Sequence, residues 1–162
     1  MITNSSIYCP TPSIASMVVN QFKMRDDIQC YHMGGMGCAM GVVGLNLVRD
    51  MLAAHPGKIC LFVSSEIVTS AFYPGQRKEA LVTNALFRMG GSAAILTNNA
   101  SWRRRSKYQL CHVLRVHTGA SDRAFKCVKG LPYLCANLAC GLFFACTCSC
   151  HAVCLREPNA MK

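Results

Sequence analysis

One cysteine in a glycine-dense turn is the residue of this chain best placed to do chemistry. Cys38 sits in Met33-Gly34-Gly35-Met36-Gly37-Cys38-Ala39-Met40-Gly41, between two apolar segments. Residues 28–33 before it read as a short strand. Residues 39–54 after it read as a helix stopped by Pro56-Gly57. A thiol at the first turn of such a helix meets the positive end of the helix dipole, which favours the nucleophilic thiolate. Glycines let backbone N–H groups approach a bound carbonyl oxygen closely, as an oxyanion hole requires. Strand, glycine turn, cysteine and helix together suit covalent acyl transfer. Cysteine is also among the most buried residue types, and plain packing is the competing account.

The elements that must position Cys38 follow from periodicity. Thr11-Pro12-Ser13 opens a helix, with Thr11 as N-cap and Pro12 in the first helical position. Ile14, Met17, Val18 and Phe22 then recur at helical spacing. The Cys38 helix is apolar nearly all round at first and turns polar only at Asn46, Arg49 and Asp50, which predicts a largely buried helix. Residues 59–63 are a continuous apolar run, expected of a strand covered on both faces and ending at Ser64-Ser65-Glu66. Glu66 ends that strand near Cys38; support of the site, a helix contact or exposure each explain it.

Tyr73-Pro74-Gly75-Gln76 is a turn, residues 79–87 form a short helix broken at Gly90-Gly91, and 92–97 are a strand. A polar, basic loop over 98–106 leads to a long strand over 107–117. On that strand Tyr108, Leu110, His112, Leu114 and Val116 share one face, and Arg115 and His117 the other. The alternation predicts an α/β fold: a mixed, mostly parallel sheet flanked by helices, with an antiparallel final pair.

Composition narrows the classes. The chain has 162 residues, 52% hydrophobic and 15% charged, which excludes a disordered chain. Its net charge of +10 suits an anionic partner: a nucleotide-bearing substrate, an anionic membrane face or nucleic acid. The one dense cluster is Arg103-Arg104-Arg105-Ser106-Lys107, by default a solvated loop. No nucleic-acid module accompanies it, so no nucleic-acid partner is expected. Residues 1–6 lack the apolar core of a signal peptide, and the twelve cysteines read as reduced, intracellular thiols.

Composition changes after Val128. Residues 131–155 hold no Asp, Glu, Lys or Arg and are long enough for a membrane helix, although Pro132, Asn137 and His151 dilute them. Cys146, Cys148, Cys150, His151 and Cys154 have single-residue gaps unlike zinc spacing, so no metal is expected.

Four motifs in series carry a family resemblance. They are Cys9-Pro10-Thr11-Pro12-Ser13, Gly35-Met36-Gly37-Cys38, Asn84-Ala85-Leu86-Phe87-Arg88-Met89-Gly90-Gly91 and Arg103-Arg104-Arg105-Ser106-Lys107-Tyr108. Together they resemble the plant 3-ketoacyl-CoA synthases, the condensing enzymes of very-long-chain fatty acid elongation. These belong to the thiolase-like superfamily with chalcone synthase. The resemblance implies a partial thiolase-like layered fold, first half only, over 1–128. The Cys-rich apolar tail over 129–162 does not resemble the family; disorder, a helix or a gene-model artefact are open readings of it.

By resemblance, Cys38 is the nucleophile that takes an acyl group from acyl-CoA before condensation with malonyl-CoA. His117 matches a recurring family histidine and is a candidate for a catalytic role, and Phe87 resembles a residue that shapes the acyl pocket. Structural roles compete for both. The family's catalytic His and Asn belong to a second half that these residues do not match. The family's glycine turn is usually followed by a small polar residue, whereas Ala39-Met40 follows Cys38 here, and the bulkier Met40 bears on the acyl tunnel or on the turn. The family further implies no cofactor, an endoplasmic reticulum membrane setting and an elongase complex. It also implies a homodimer or pairing with a full-length synthase. The family's N-terminal membrane helices are not matched here. A non-catalytic half-fold, and a small membrane- or metal-binding protein built on the tail, are the alternatives.

Overall fold

The first residues of the chain form an inner strand of its sheet. The computed structural model describes residues 1–117 and 149–156. Strand β1 (Ile2–Ser5) lies between β2 (Tyr31–Gly34) and β3 (Ile59–Glu66), parallel to both, and β4 (Gly90–Thr97) adds to β3 antiparallel. Sequence periodicity misses β1 because three of its four residues are polar. Thr3, Asn4 and Ser5 are nonetheless buried. Each finds a partner far along the chain: Thr3 Oγ1 meets His32 Nδ1 at 2.8 Å, Asn4 accepts from the Ser64 hydroxyl, and Ser5 Oγ donates to Glu66 at 3.2 Å. Buried polar groups are tolerated when paired in this way.

Helix α1 (Ile14–Gln21) connects β1 to β2, and α2 (Met40–Ala54) connects β2 to β3, each the crossover of a βαβ unit. The expected cap of α1 shifts by two residues. Ser13, not Thr11, is the N-cap, and its hydroxyl accepts from the Ser16 N–H at 3.2 Å. Pro12 therefore lies outside the helix. In α2 a single stripe, Met40, Gly44, Val48 and Leu52, is fully buried at i, i+4 spacing. Its other apolar residues are half-buried or, at Ala53 and Ala54, exposed, so α2 is less enclosed than its composition predicts. Val48 and Leu52 of the stripe pack with Cys60 and Phe62 of β3 and with Ile2, and these residues form the core. Gly44 permits the contact: an added Cβ would stand 2.5 Å from Phe62 Cε2.

Helix α3 (Lys78–Leu86) is held differently. Leu81, Val82 and Leu86 are exposed. Asn84 instead clamps the preceding loop, accepting from the Tyr73 N–H at 3.0 Å and donating to the Tyr73 carbonyl at 2.8 Å.

The expected pairing of the last two strands is not observed. β4 pairs with β3, and β5 (Gln109–His117) pairs antiparallel with β6 (Ser149–Arg156) in a separate two-stranded ribbon. Thus one segment of the tail is a strand that joins β5. The register slips between Leu110 and His112: Leu110 faces Leu155, whereas Leu114 and Val116 face Ala152 and Cys150. That bulge puts Leu110 on the ribbon face opposite Leu114 and Val116, so the single apolar face predicted for this strand is split. The rest of the tail, including most of the apolar 131–155 run, lies outside the described residues. Among the described residues no helix is long and apolar enough to cross a membrane, and no cluster of residues suits a metal.

Candidate active site

β2 ends at Gly34, and the chain turns through Gly35 at φ +72° and Gly37 at φ +79°. Both angles lie in the left-handed region that glycine adopts at little cost. Cys38 follows, exposed, two residues before the first residue of α2. The helix opens without a side-chain cap at Ala39. Its first turn is tightened by short-range bonds: Met40 N–H to the Gly37 carbonyl at 3.1 Å, and Gly41 N–H to the Cys38 carbonyl at 3.4 Å. Cys38 is therefore built into the N-terminal mouth of α2, where the amide dipoles present their positive end. Met40 is buried.

Cys60 is the contrasting thiol. It is buried beneath α2, and burial pushes its thiol above the usual range, against a smaller opposing pull from the chain's amino terminus and a backbone hydrogen bond. A protonated, enclosed sulfur is a poor nucleophile. We predict that limited iodoacetamide at neutral pH labels Cys38 before any other thiol and leaves Cys60 for last, as read by peptide mass spectrometry. Early labelling of Cys9 with Cys38 inert would overturn this.

The three parallel strands end on one edge of the sheet, at Ser5, Gly34 and Glu66, and the Cys38 turn leaves from that edge. Open α/β sheets bind ligands outside the carboxyl ends of their strands. Glu66 organises this edge. Its carboxylate accepts from Ser5 Oγ, from the Ser6 N–H at 2.8 Å, from the Ile7 N–H at 3.1 Å and from the Ile67 N–H at 3.3 Å. It thereby ties the loop after β1 to the end of β3, a positioning role. Gly34 admits that loop: an added Cβ would lie 2.5 Å from Cys9 Sγ. Among the described residues, His32 Nε2 and Ser6 Oγ are buried here without a hydrogen-bond partner. Sequence reasoning passed over Asn4, Ser5, His32 and Ser64. Their only signal is polarity at strand positions, which is meaningful once the strands are known to be adjacent.

The other expected site residues stand apart from Cys38 in the topology. Phe87 is half-buried in the link from α3 to β4. His117 is the last residue of β5, opposite Ser149 on β6, in the ribbon rather than in the Cys38 sheet. His112, on the same strand, is exposed.

This arrangement has relatives. Germicidin synthase from Streptomyces coelicolor, a type III polyketide synthase, superposes with a TM-score of 0.63 at 27% identity, over 72% of this chain and 30% of that one. Its fold accounts for the mixed, mostly parallel sheet and flanking helices, which form part of a thiolase-like fold. Among curated proteins of Arabidopsis thaliana, 3-ketoacyl-CoA synthase 4 is 47% identical over 128 residues, which are 79% of this chain and 25% of that protein. 3-Ketoacyl-CoA synthase 8 is 46% identical over 127 residues, 78% of this chain and 26% of its own length. The chain thus spans about a quarter of the length of these relatives. The sequence profile of the FAE1/Type III polyketide synthase-like proteins matches residues 1–131. With that match over most of its length, and its sheet, turn and helix arranged as in a solved type III polyketide synthase, the chain belongs to the FAE1/type III polyketide synthase-like family.

Proposed function

We propose that this chain carries the acyl-accepting part of a 3-ketoacyl-CoA synthase-like condensing site, with Cys38 as nucleophile. The observation that carries the reading is the exposed Cys38 at the N-terminal mouth of α2, above the carboxyl edge of three parallel strands. The Cys38 thiolate attacks the thioester carbonyl of a long-chain acyl-CoA. The bond to the coenzyme A sulfur breaks, coenzyme A leaves as its thiolate and takes a proton from solvent, and the acyl group stays on Cys38 as a new thioester. Backbone N–H groups of the glycine turn stabilise the intermediate oxyanion. In the complete reaction malonyl-CoA loses carbon dioxide, its carbanion attacks the acyl carbon, and the Cys38 sulfur departs. Phe87 is assigned to the acyl pocket and His117 to a supporting role. The family likeness also supports an endoplasmic reticulum membrane setting, an elongase complex and a homodimer.

A second reading has its own observation. Leu81, Val82, Leu86, Met89 and Ile95 are exposed on α3, β4 and the link between them. A non-catalytic half-fold that covers this surface by pairing with a full-length synthase accounts for them, and co-purification with such a synthase is its test.

For the first reading, incubation with a radiolabelled long-chain acyl-CoA is expected to add one acyl group at Cys38, released by hydroxylamine. Cys38→Ala should abolish the adduct, and Cys38→Ser should give at most a hydroxylamine-resistant ester. Equal acylation of Cys38→Ala, or none at a Cys38 that iodoacetamide labels readily, would overturn it.

A further inference from the structure

The strongest charge on the described surface lies away from Cys38. Between Glu79 and Asp122 the chain has no acidic residue, while Arg88, Arg103, Arg104, Arg105, Lys107 and Arg115 are all cationic. Four of these fall in the turn between β4 and β5, and all four are exposed. The ion pairs among the described residues, Arg25–Asp27 and Arg49–Asp50, leave this turn out.

The turn is built rather than loose. The Trp102 carbonyl accepts from the Arg105 N–H at 2.9 Å, the Ser106 N–H at 3.0 Å and Ser106 Oγ at 3.0 Å. Asn99 Oδ1 caps it by accepting from the Ser101 N–H at 3.0 Å. Asn98 fastens it to the end of α2 by donating to the carbonyls of Leu52 and His55. Arg105 lies over the Trp102 ring, 4.8 Å from its centroid. The cations are thus held together at a fixed place, flanked by half-buried Trp102 and exposed Tyr108.

Two features select the ligand. The turn sits at the far end of α2 from Cys38, so it is not part of that site. Its four cations form an exposed array spread along five residues of one turn. An array of that kind matches a broad anionic plane, and Trp and Tyr at its borders are the side chains that settle at a bilayer interface. We propose that residues 100–108 are a docking surface for an anionic phospholipid bilayer.

The test is co-sedimentation of the full chain with vesicles of phosphatidylcholine alone or with added phosphatidylserine, at low and high salt. Binding is expected only to the anionic vesicles, and to weaken at high salt as the charges are screened. Replacing Arg103, Arg104 and Lys107 by Gln should lower partitioning by on the order of 100-fold, since each removes one cation near the surface. Arg103→Lys with Arg104→Lys should retain it. Lys23→Gln, Arg25→Gln and Lys58→Gln together remove as much charge elsewhere and should retain most binding. Equal losses in the two Gln triples would refute a localised surface. Release from vesicles by inorganic phosphate at matched ionic strength would make this a site for free phosphate and overturn the proposal. So would preference for single-stranded RNA over the anionic vesicles.

Discussion

Given both a long-chain acyl-CoA and malonyl-CoA, the chain alone is expected to form no 3-ketoacyl product above a Cys38→Ala control. Two chemical demands separate here. Forming the acyl-enzyme needs a thiolate and oxyanion donors, which the Cys38 turn offers. Condensation also needs groups that stabilise the enolate left when malonyl-CoA loses carbon dioxide. The family resemblance assigns that task to a His and an Asn in a second half, and the chain spans about a quarter of its relatives. His112 is exposed and His117 lies in the ribbon, so neither is set beside Cys38 by the sheet. Removing one preorganised electrostatic partner typically costs 10²–10³ in rate, so lacking two should cost on the order of 10⁴ or more. The assay uses radiolabelled malonyl-CoA in membranes without other condensing enzymes. A product two carbons longer, above the control, would refute the prediction.

The second large effect is on stability. Gly44→Ala is expected to cost about 3 kcal/mol, the upper end of ordinary overpacking. The added Cβ would meet Phe62 Cε2 at 2.5 Å and Cζ at 2.7 Å, and Phe62 is 6% exposed, so its ring has little space to retreat. Whole domains are stable by about 5–15 kcal/mol, so the larger, branched Gly44→Val should abolish a cooperative unfolding transition. Phe62→Leu removes the clashing ring atoms. In the Gly44→Ala background it should cost less than it does alone, or restore stability outright. Thermal and urea unfolding of the two single variants and the double variant closes the cycle. Strictly additive losses would show that Gly44 and Phe62 are not in the contact described.

Much of the frame around Cys38 is legible without coordinates, because its signals are local. The apolar run beginning at Ile59 marks β3, the apolar stretch ended by Pro56-Gly57 marks α2, and the glycines mark the turn between β2 and α2. Each reports a backbone preference or a burial pattern within a few residues. That is why the parallel α/β order and the position of Cys38 at a helix start follow from residue types alone.

What the tertiary structure decided rests on partners distant in sequence. Ile2-Thr3-Asn4-Ser5 has no strand pattern, and it becomes an inner strand because His32, Ser64 and Glu66 satisfy its polar side chains. The role of Glu66 at the site edge is invisible until the loop after β1 is seen to donate to it. β5 alternates as a strand should, but alternation does not name a neighbour. Its pairing with β6, and the slip that separates Leu110 from Leu114, are set by a segment more than thirty residues away in the sequence. Local pattern selects helix, strand and turn. Which buried polar groups are paired, and which strand edges meet, depends on contacts that form only when the chain closes on itself.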